Sequence, residues 1–357
     1  SSPPPRRILA SLWGPPTDRR PHALPAGPPA VPMLSLKSLD RMPAVGFGFW
    51  KVPKAACAET VLAAIRSGYR HLDCAADYAN EAEVGEGIRR AVSEGLVRRE
   101  DLFVTSKLWN TYHAAQHVEP ACRRSLSDLG LDYVDLYLVH FPLAQRYVDF
   151  EERYPPEWIY DPDASVPTVE LALVPFQETW EAMEMLVSRG LARNIGVCNM
   201  GTALLRDVLS YATIPPAVMQ IELHAYNQQP QLVRMCHENG IVVTGFSPLG
   251  ALSYLTLESA NEGLFALEHP VVKEIAASHS KSTAQVLLRW GAQRGIAVIP
   301  KTTSEERMVE NLAIFDFKLS PGEMAQLALL DQGKRFNDPG DFCQGMGARG
   351  TFAPIYD

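Results

Sequence analysis

The strongest constraint on this chain is a repeated alternation that begins at Met42. A short apolar segment is followed by an amphipathic stretch, and the stretch often stops at a glycine. Eight segments read as strands: VGFGFW (45–50), HLDCA (71–75), LFVTSK (102–107), DLYLVH (135–140), NIGVCN (194–199), VMQIEL (218–223), IVVTGFS (241–247) and IAVIPK (296–301). Helical periodicity runs through ETVLAAIRSG, AEVGEGIRRAVSEG, VEPACRRSLSDLG, FQETWEAMEMLVSRG and TAQVLLRWGAQRG, each ending on the residue that most easily takes the left-handed turn closing a helix. Strand and helix in alternation imply a parallel sheet with helices outside it. Eight such units close into a (β/α)₈ barrel of the α/β class, for which 357 residues is an ordinary length. A doubly wound open sheet is the rival. It is weakened because no GxGxxG follows the first strand, and the GEG at 85–87 lies inside a helical pattern.

Residues 1–32 stand apart from this pattern. They are rich in proline and arginine, contain a single acid, Asp18, and cannot bury a core, so disorder is expected there, with the barrel spanning 33–357. Two readings of the extension stay open: part of a plastid-type transit peptide, which would move the protein out of the cytoplasm, or a leader upstream of a start near Met33. The formal charge of −8 gives no electrostatic case for nucleic acid. No apolar run reaches the ~20 residues of a membrane span. Six scattered cysteines without a CxxC pair argue for free thiols in a reducing compartment, and against a zinc site or a disulfide framework.

In a barrel of this kind the chemistry sits at the C-terminal ends of the strands. Those ends bring Trp50 and Lys51, then Asp73 with Asp77 and Tyr78 just beyond, then Lys107 and Trp109, then His140 and Phe141. Further on come Cys198 and Asn199, Gln220 and Glu222, Phe246 and Ser247, and Lys301. A tyrosine is a weak acid, but a neighbouring ammonium favours its phenolate and is expected to lower its pKa. Asp73 would hold Lys107 charged, Lys107 would tune Tyr78, and His140 would bond a substrate oxygen. Together these residues would make a general acid able to protonate a carbonyl as hydride arrives. Trp50, Trp109 and Phe141 would form a wall that excludes water. Each residue alone has a plainer reading: an ion pair filling the barrel mouth, a satisfied core histidine, an isolated tyrosine.

From about Met42 to Asp357 the chain resembles the aldo-keto reductases. The likeness rests on GFGFWKV, GYRHLDCAADYANEAEVGEGI, LFVTSKLWN, DLGLDYVDLYLVHFP, PAVMQIELHAYNQQPQL, VLLRWGAQRGIAVIPKTTSEERMVEN and RFNDP. The resemblance implies a barrel that binds NADPH, in some relatives also NADH, across its mouth. It implies a catalytic tetrad of Asp73, Tyr78, Lys107 and His140. It assigns Asn199 and Gln220 to the nicotinamide amide, Phe246 to stacking on the nicotinamide ring, and Ser247 and Leu249 to the pyrophosphate. Lys301, Thr302 and Arg307 would take the 2′-phosphate, and Glu310 and Asn311 the adenine. The charge of Lys301 and the planar fork of Arg307 suit a phosphate. Two positions depart from the family pattern: Cys198 replaces a serine and Phe246 a tyrosine.

Within that family HFPLAQRYVDFEERYPPEW, ATIPPAV and RFNDP look like the xylose reductases of yeasts. DYANEAEVGE and VIPKT are similar to plant aldose-6-phosphate reductases. Either likeness implies reduction of an open-chain aldose to an alditol. Asp77 and Asn337 would contact sugar hydroxyls, alongside Trp50, Trp109, His140 and Phe141. A phosphorylated sugar would need a rim cation, with Arg146, Lys334, Arg335 and Arg349 as candidates. The Pro-rich stretch 151–175 would shape the pocket or a dimer contact, and both monomer and homodimer stay open. The alternatives are a broad aldehyde and ketone reductase, or a non-catalytic NADPH-binding barrel with a structural or regulatory role.

Overall fold

The structure is a computed structural model that describes residues 31–250, 266–345 and 353–356. Nearly all of the 1–32 extension, and Arg349, lie outside the described residues. A hairpin opens the fold, β1 (Met33–Ser35) antiparallel to β2 (Arg41–Pro43). Eight parallel strands follow in sequential order: β3 (Phe47–Gly48), β4 (His71–Asp73), β5 (Phe103–Leu108), β6 (Val134–Val139), β7 (Ala192–Cys198), β8 (Val218–Glu222), β9 (Val242–Phe246) and β10 (Ala297–Val298). The sheet closes on itself. Val45 bridges Val298 in parallel, and the Gly46 and Gly48 amides donate to Val298 O (2.9 Å) and Pro300 O (3.2 Å). The expected (β/α)₈ barrel is therefore the fold, and every expected strand is present within a few residues of its expected bounds.

Helices α1 (Lys54–Ser67), α2 (Glu81–Ser93), α3 (Ala115–Leu129), α4 (Phe176–Ser188), α5 (Thr202–Tyr211) and α6 (Pro230–Glu238) are the first six crossovers. Then come α7 (Pro270–His279), α8 (Thr283–Gln293), α9 (Glu305–Leu312), α10 (Pro321–Ala328) and α11 (Pro339–Gly345). The stop glycines act as expected: Gly68 caps α1 at φ 113° and Gly130 caps α3 at φ 65°, each returning its N–H to the last-turn carbonyls. The GEG of 85–87 serves helix packing. A Cβ on Gly85 would lie 2.4 Å from Leu129 O on α3, and one on Gly87 2.5 Å from Val61 on α1. Only residues without a side chain let α2 lie this close to both neighbours.

The hairpin was not foreseen. It seals the N-terminal end of the barrel, where Leu36 and Met42 pack with Phe103, Leu136, Val218 and Ala297 in an apolar cluster. The opposite end stays open, and there the loops after the strands build the site.

Candidate active site

The parallel register makes the centre of the site. Asp73 lies level with Thr105, so Lys107, two residues further along β5, points to the same face of the sheet. Its ammonium donates to Asp73 Oδ1 (2.6 Å), Cys74 O (2.8 Å) and Tyr78 Oη (3.0 Å). Tyr78 is delivered by a single 3₁₀ turn, Ala76–Tyr78, that ends with Ala79 in the left-handed region (φ 58°). Asn80 fixes that turn from behind by donating to Phe49 O (3.0 Å) and Val52 O (3.2 Å). The HLDCAADYAN run is thus one device: a strand end that supplies a carboxylate, a turn that presents a phenol, and an amide that ties both to the β3 loop. The other Asp73 oxygen accepts from Gln220 Nε2 at 2.6 Å.

Burial sets the charges. Desolvation would lower the pKa of the Lys107 ammonium, but Asp73, and then Tyr78, outweigh it and hold the value above its ordinary range. The Tyr78 phenol does not behave as the sequence alone indicated. Burial raises it well above its ordinary value of 10, and Lys107 pulls it down without overcoming that. The correction has a plain cause: a phenolate taken out of water loses more than one nearby ammonium returns. His140 is driven well below its ordinary pKa by burial and then by Lys107, so the ring is neutral. Its Nδ1 is buried without a hydrogen-bond partner. Asp77, close by, is pushed up to about 7 by burial and then by Glu157, against Lys107.

A cavity of about 390 Å³ opens over these groups. Asp73, Asp77, Tyr78, His140 and Phe141 line it, together with Trp50, Asn199, Gln220 and Asn337. Phe246, Ser247, Leu249 and Lys301 complete the run from the tetrad side to the β9–β10 side. The expected catalytic residues and most of the expected contacts therefore meet in one place. Trp109 is placed differently. It is fully buried and lies behind the wall, packed edge-on against His140 (5.3 Å) and Trp158 (5.1 Å). Thr302, Arg307, Glu310 and Asn311 lie beyond the cavity lining. Thr302 is buried and Arg307 exposed. They belong to the segment where Ser304 caps the start of α9, a terminus whose free amides suit an anion. Asn311 is buried on α9 against the Tyr69 hydroxyl.

Sequence reasoning passed over some groups and named others, Lys51 and Glu222, without giving them a role. Glu157 and Trp158 reach the cavity from the long loop after β6. The only signal was a lone Glu-Trp pair inside a Pro-rich stretch. Lys51 lines the cavity, and burial and then Lys301 lower its pKa, so two cations face one another across the β3–β10 seam. Glu222 accepts from the Phe336 and Asn337 amides (2.9 Å each), which brings Asn337 to the cavity. From the tail, Tyr356 Oη donates to Asn199 Oδ1 (3.1 Å), while Asn199 Nδ2 donates to His140 O (2.8 Å). Three of the four rim cations lie within the described residues, each against a neighbour. Arg146 pairs with Glu170 (2.8 Å), Lys334 lies over Phe336, and Arg335 lies over the Tyr356 ring (3.5 Å).

Residues 44–332 match the aldo/keto reductase family. The chain is 50% identical over 311 residues to a probable NAD(P)H-dependent D-xylose reductase of Arthroderma otae, covering 87% of this chain and 94% of that one. It is 51% identical over 313 residues to the probable D-xylose reductase of Emericella nidulans, covering 87% and 97%. It is 50% identical over 316 residues to the NAD(P)H-dependent D-xylose reductase I,II of Candida tropicalis, covering 88% and 97%.

Proposed function

The chain belongs to the aldo/keto reductase family, and on that premise we propose that it reduces the open-chain aldehyde of an aldose to the alditol, with NADPH as reductant and xylose as the first candidate sugar. The observation that carries this reading is the Lys107 ammonium bonded at once to Asp73 and Tyr78 in the wall of a cavity lined by aromatic rings. Tyr78 donates its proton to the carbonyl oxygen. A phenol with a raised pKa remains protonated at neutral pH and so has its proton to give. Lys107, held by Asp73, steadies the phenolate left behind. His140 is neutral, and with Nδ1 covered its other nitrogen is the one free to donate to the same oxygen. Trp50, Phe141 and Trp158 keep water away, and Asp77 and Asn337 meet the sugar hydroxyls.

The residues present fit the cofactor. Asn199 and Gln220 offer amide groups beside the Phe246 ring, and Gln220 keeps its oxygen free while its nitrogen serves Asp73. Ser247 and Leu249 would follow the pyrophosphate. Lys301, Thr302 and Arg307 would hold a 2′-phosphate at the start of α9, which favours NADPH over NADH, and Glu310 and Asn311 would flank the adenine. Bound there, the nicotinamide would supply the hydride for the carbonyl carbon. All six cysteines are free and buried, which fits work in a reducing compartment such as the cytoplasm. The apolar wall favours a second reading, a broad aldehyde reductase.

NADPH consumption with xylose and with benzaldehyde, in the native chain and in Tyr78→Phe, tests the assignment. The variant should lose on the order of 10²–10⁴-fold in kcat and still bind NADPH by fluorescence titration. Robust turnover without the hydroxyl sinks Tyr78 as the acid. A clear preference for benzaldehyde over every aldose favours the second reading.

A further inference from the structure

We propose that Glu157, acting with Asp77, is a charge filter that favours uncharged and cationic open-chain aldehydes over anionic ones such as aldose phosphates and uronates. The inference rests on the reductase reading of the pocket and names its substrate class. Glu157 lines the same cavity as Tyr78, His140, Asp77 and Asn337. Its backbone is fixed there, because its carbonyl accepts from the Trp109 indole N–H at 3.1 Å. It also holds φ at 58°, in the left-handed region that a residue with a side chain enters at a cost of about 1–2 kcal/mol. A glycine would carry that turn without strain, yet this chain keeps a carboxylate at the pocket rim.

The charge map of the cavity gives that carboxylate its meaning. Asp77 and Glu157 approach from the loops after β4 and β6, on the side where a sugar chain would extend from Tyr78 and His140. Their mutual repulsion is felt, since Glu157 helps to raise Asp77. Among the described lining residues the cations are Lys51 and Lys301, which follow β3 and β10; Lys51 stands beside the Asp77 loop, since β3 pairs with β4, whereas the β6 loop that carries Glu157 adds no lining cation. The nearest buried cation, Lys107, is matched by Asp73. Along the same loop Arg146 is bound to Glu170 and Arg153 donates to the Ile159 and Tyr160 carbonyls, and both line a second, smaller cavity on the other side of Glu157 and not the one over Tyr78. A phosphate or carboxylate reaching toward the β6 loop would thus meet the Glu157 carboxylate with no lining cation beside it among the described residues. An ammonium would meet attraction. Because Glu157 is exposed, the discrimination is moderate and sensitive to salt.

The test compares kcat/KM at low ionic strength in the full chain and in Glu157→Gln and Glu157→Gly. The substrates are glucose, glucose 6-phosphate and glucosamine, with benzaldehyde and carboxybenzaldehyde as a second neutral–anionic pair. Both variants should raise the anionic-to-neutral ratio by roughly 3- to 10-fold in both pairs and lower the glucosamine-to-glucose ratio, with the change shrinking at about 0.5 M salt. Ratios that stay within about two-fold of the native chain, or that change regardless of salt, overturn the filter. If sugars are not reduced but the aromatic aldehydes are, the aldose reading fails and the aromatic pair still decides the filter. Turnover of no aldehyde removes both.

Discussion

The two ends of this barrel solve opposite problems with the same strands. At the base, the β1–β2 hairpin lays Leu36 and Met42 over Phe103, Leu136 and Val218 in an apolar cluster. At the mouth, the next layers of β4 and β5 hold Asp73 and Lys107 in full burial. Between them lies His71, pressed down to about 4 by its burial and therefore neutral. Apolar packing is favourable without geometric conditions. A buried ion pair repays its desolvation only when every oxygen and proton finds a partner. The mouth meets that condition through Gln220, Cys74 O and Tyr78. The base carries stability, and the mouth spends part of it on a charged cluster fit for proton transfer.

A matched pair of substitutions breaks the comparison most sharply. Lys107→Met keeps much of the volume but leaves Asp73 charged and uncompensated, at a cost of about 3–5 kcal/mol. Reduction should fall with it by at least about 100-fold. Met42→Ala at the base should cost roughly 2–4 kcal/mol through the cavity it leaves, with kcat near the native value. Urea melts and NADPH consumption on both variants read the two effects separately. If Met42→Ala lowers kcat as strongly as Lys107→Met does, the ends are not independent and the division of labour is wrong.

This division also explains what could be read from the sequence. Strand periodicity located all eight strands. Because parallel register and the barrel rule place strand ends at one face, Asp73, Lys107 and His140 could be named before any coordinates. Tyr78, five residues past Asp73, was close enough to be tied to it. Glu157 and Tyr356 were not legible, because loops and tails carry no period and their reach depends on partners far along the chain. The Trp109 indole holding the Glu157 carbonyl and the Arg335 guanidinium over Tyr356 are such partners. The direction of the Tyr78 shift was hidden for another reason. A charge pair can be guessed from spacing, but desolvation is a property of everything packed around it. Trp109 illustrates the same limit, since its position at a strand end could not say whether its ring faced the cavity or lay behind Phe141 and Trp158.

The charge economy of the mouth side can be probed by pH. Glu81 opens α2 just past the Tyr78 turn, and its carboxyl accepts from Ser106 Oγ at 2.5 Å. Burial nonetheless pushes it up to about 7 from an ordinary value of 4.5. The folded chain therefore holds this proton more tightly than the unfolded one between those values. Stability from this group is fullest below pH 4.5, falls as pH rises toward 7, and stays reduced above it. Glu81→Gln removes the ionisation, so its stability relative to the native chain should improve by roughly 1–3 kcal/mol on going from about pH 5 to about pH 8. Melting temperatures at both values check this, and parallel shifts at the two pH values would refute a raised Glu81.

The smallest expected effect comes from the far end of the chain. Tyr356 donates to Asn199 Oδ1 and lies under Arg335, so the tail helps to set the orientation of an amide proposed to meet the nicotinamide. Tyr356→Phe keeps the ring and its guanidinium contact and removes one hydrogen bond, worth about 1 kcal/mol. If the tail positions Asn199, NADPH affinity should weaken about five-fold while urea stability moves little. An unchanged Kd would reduce Tyr356 to packing. Tighter binding in the variant would mean that the hydroxyl competes with the cofactor for Asn199. The tail would then oppose binding, whereas Asp73 and Lys107 prepare the site for chemistry, and the mouth itself would divide into two working parts.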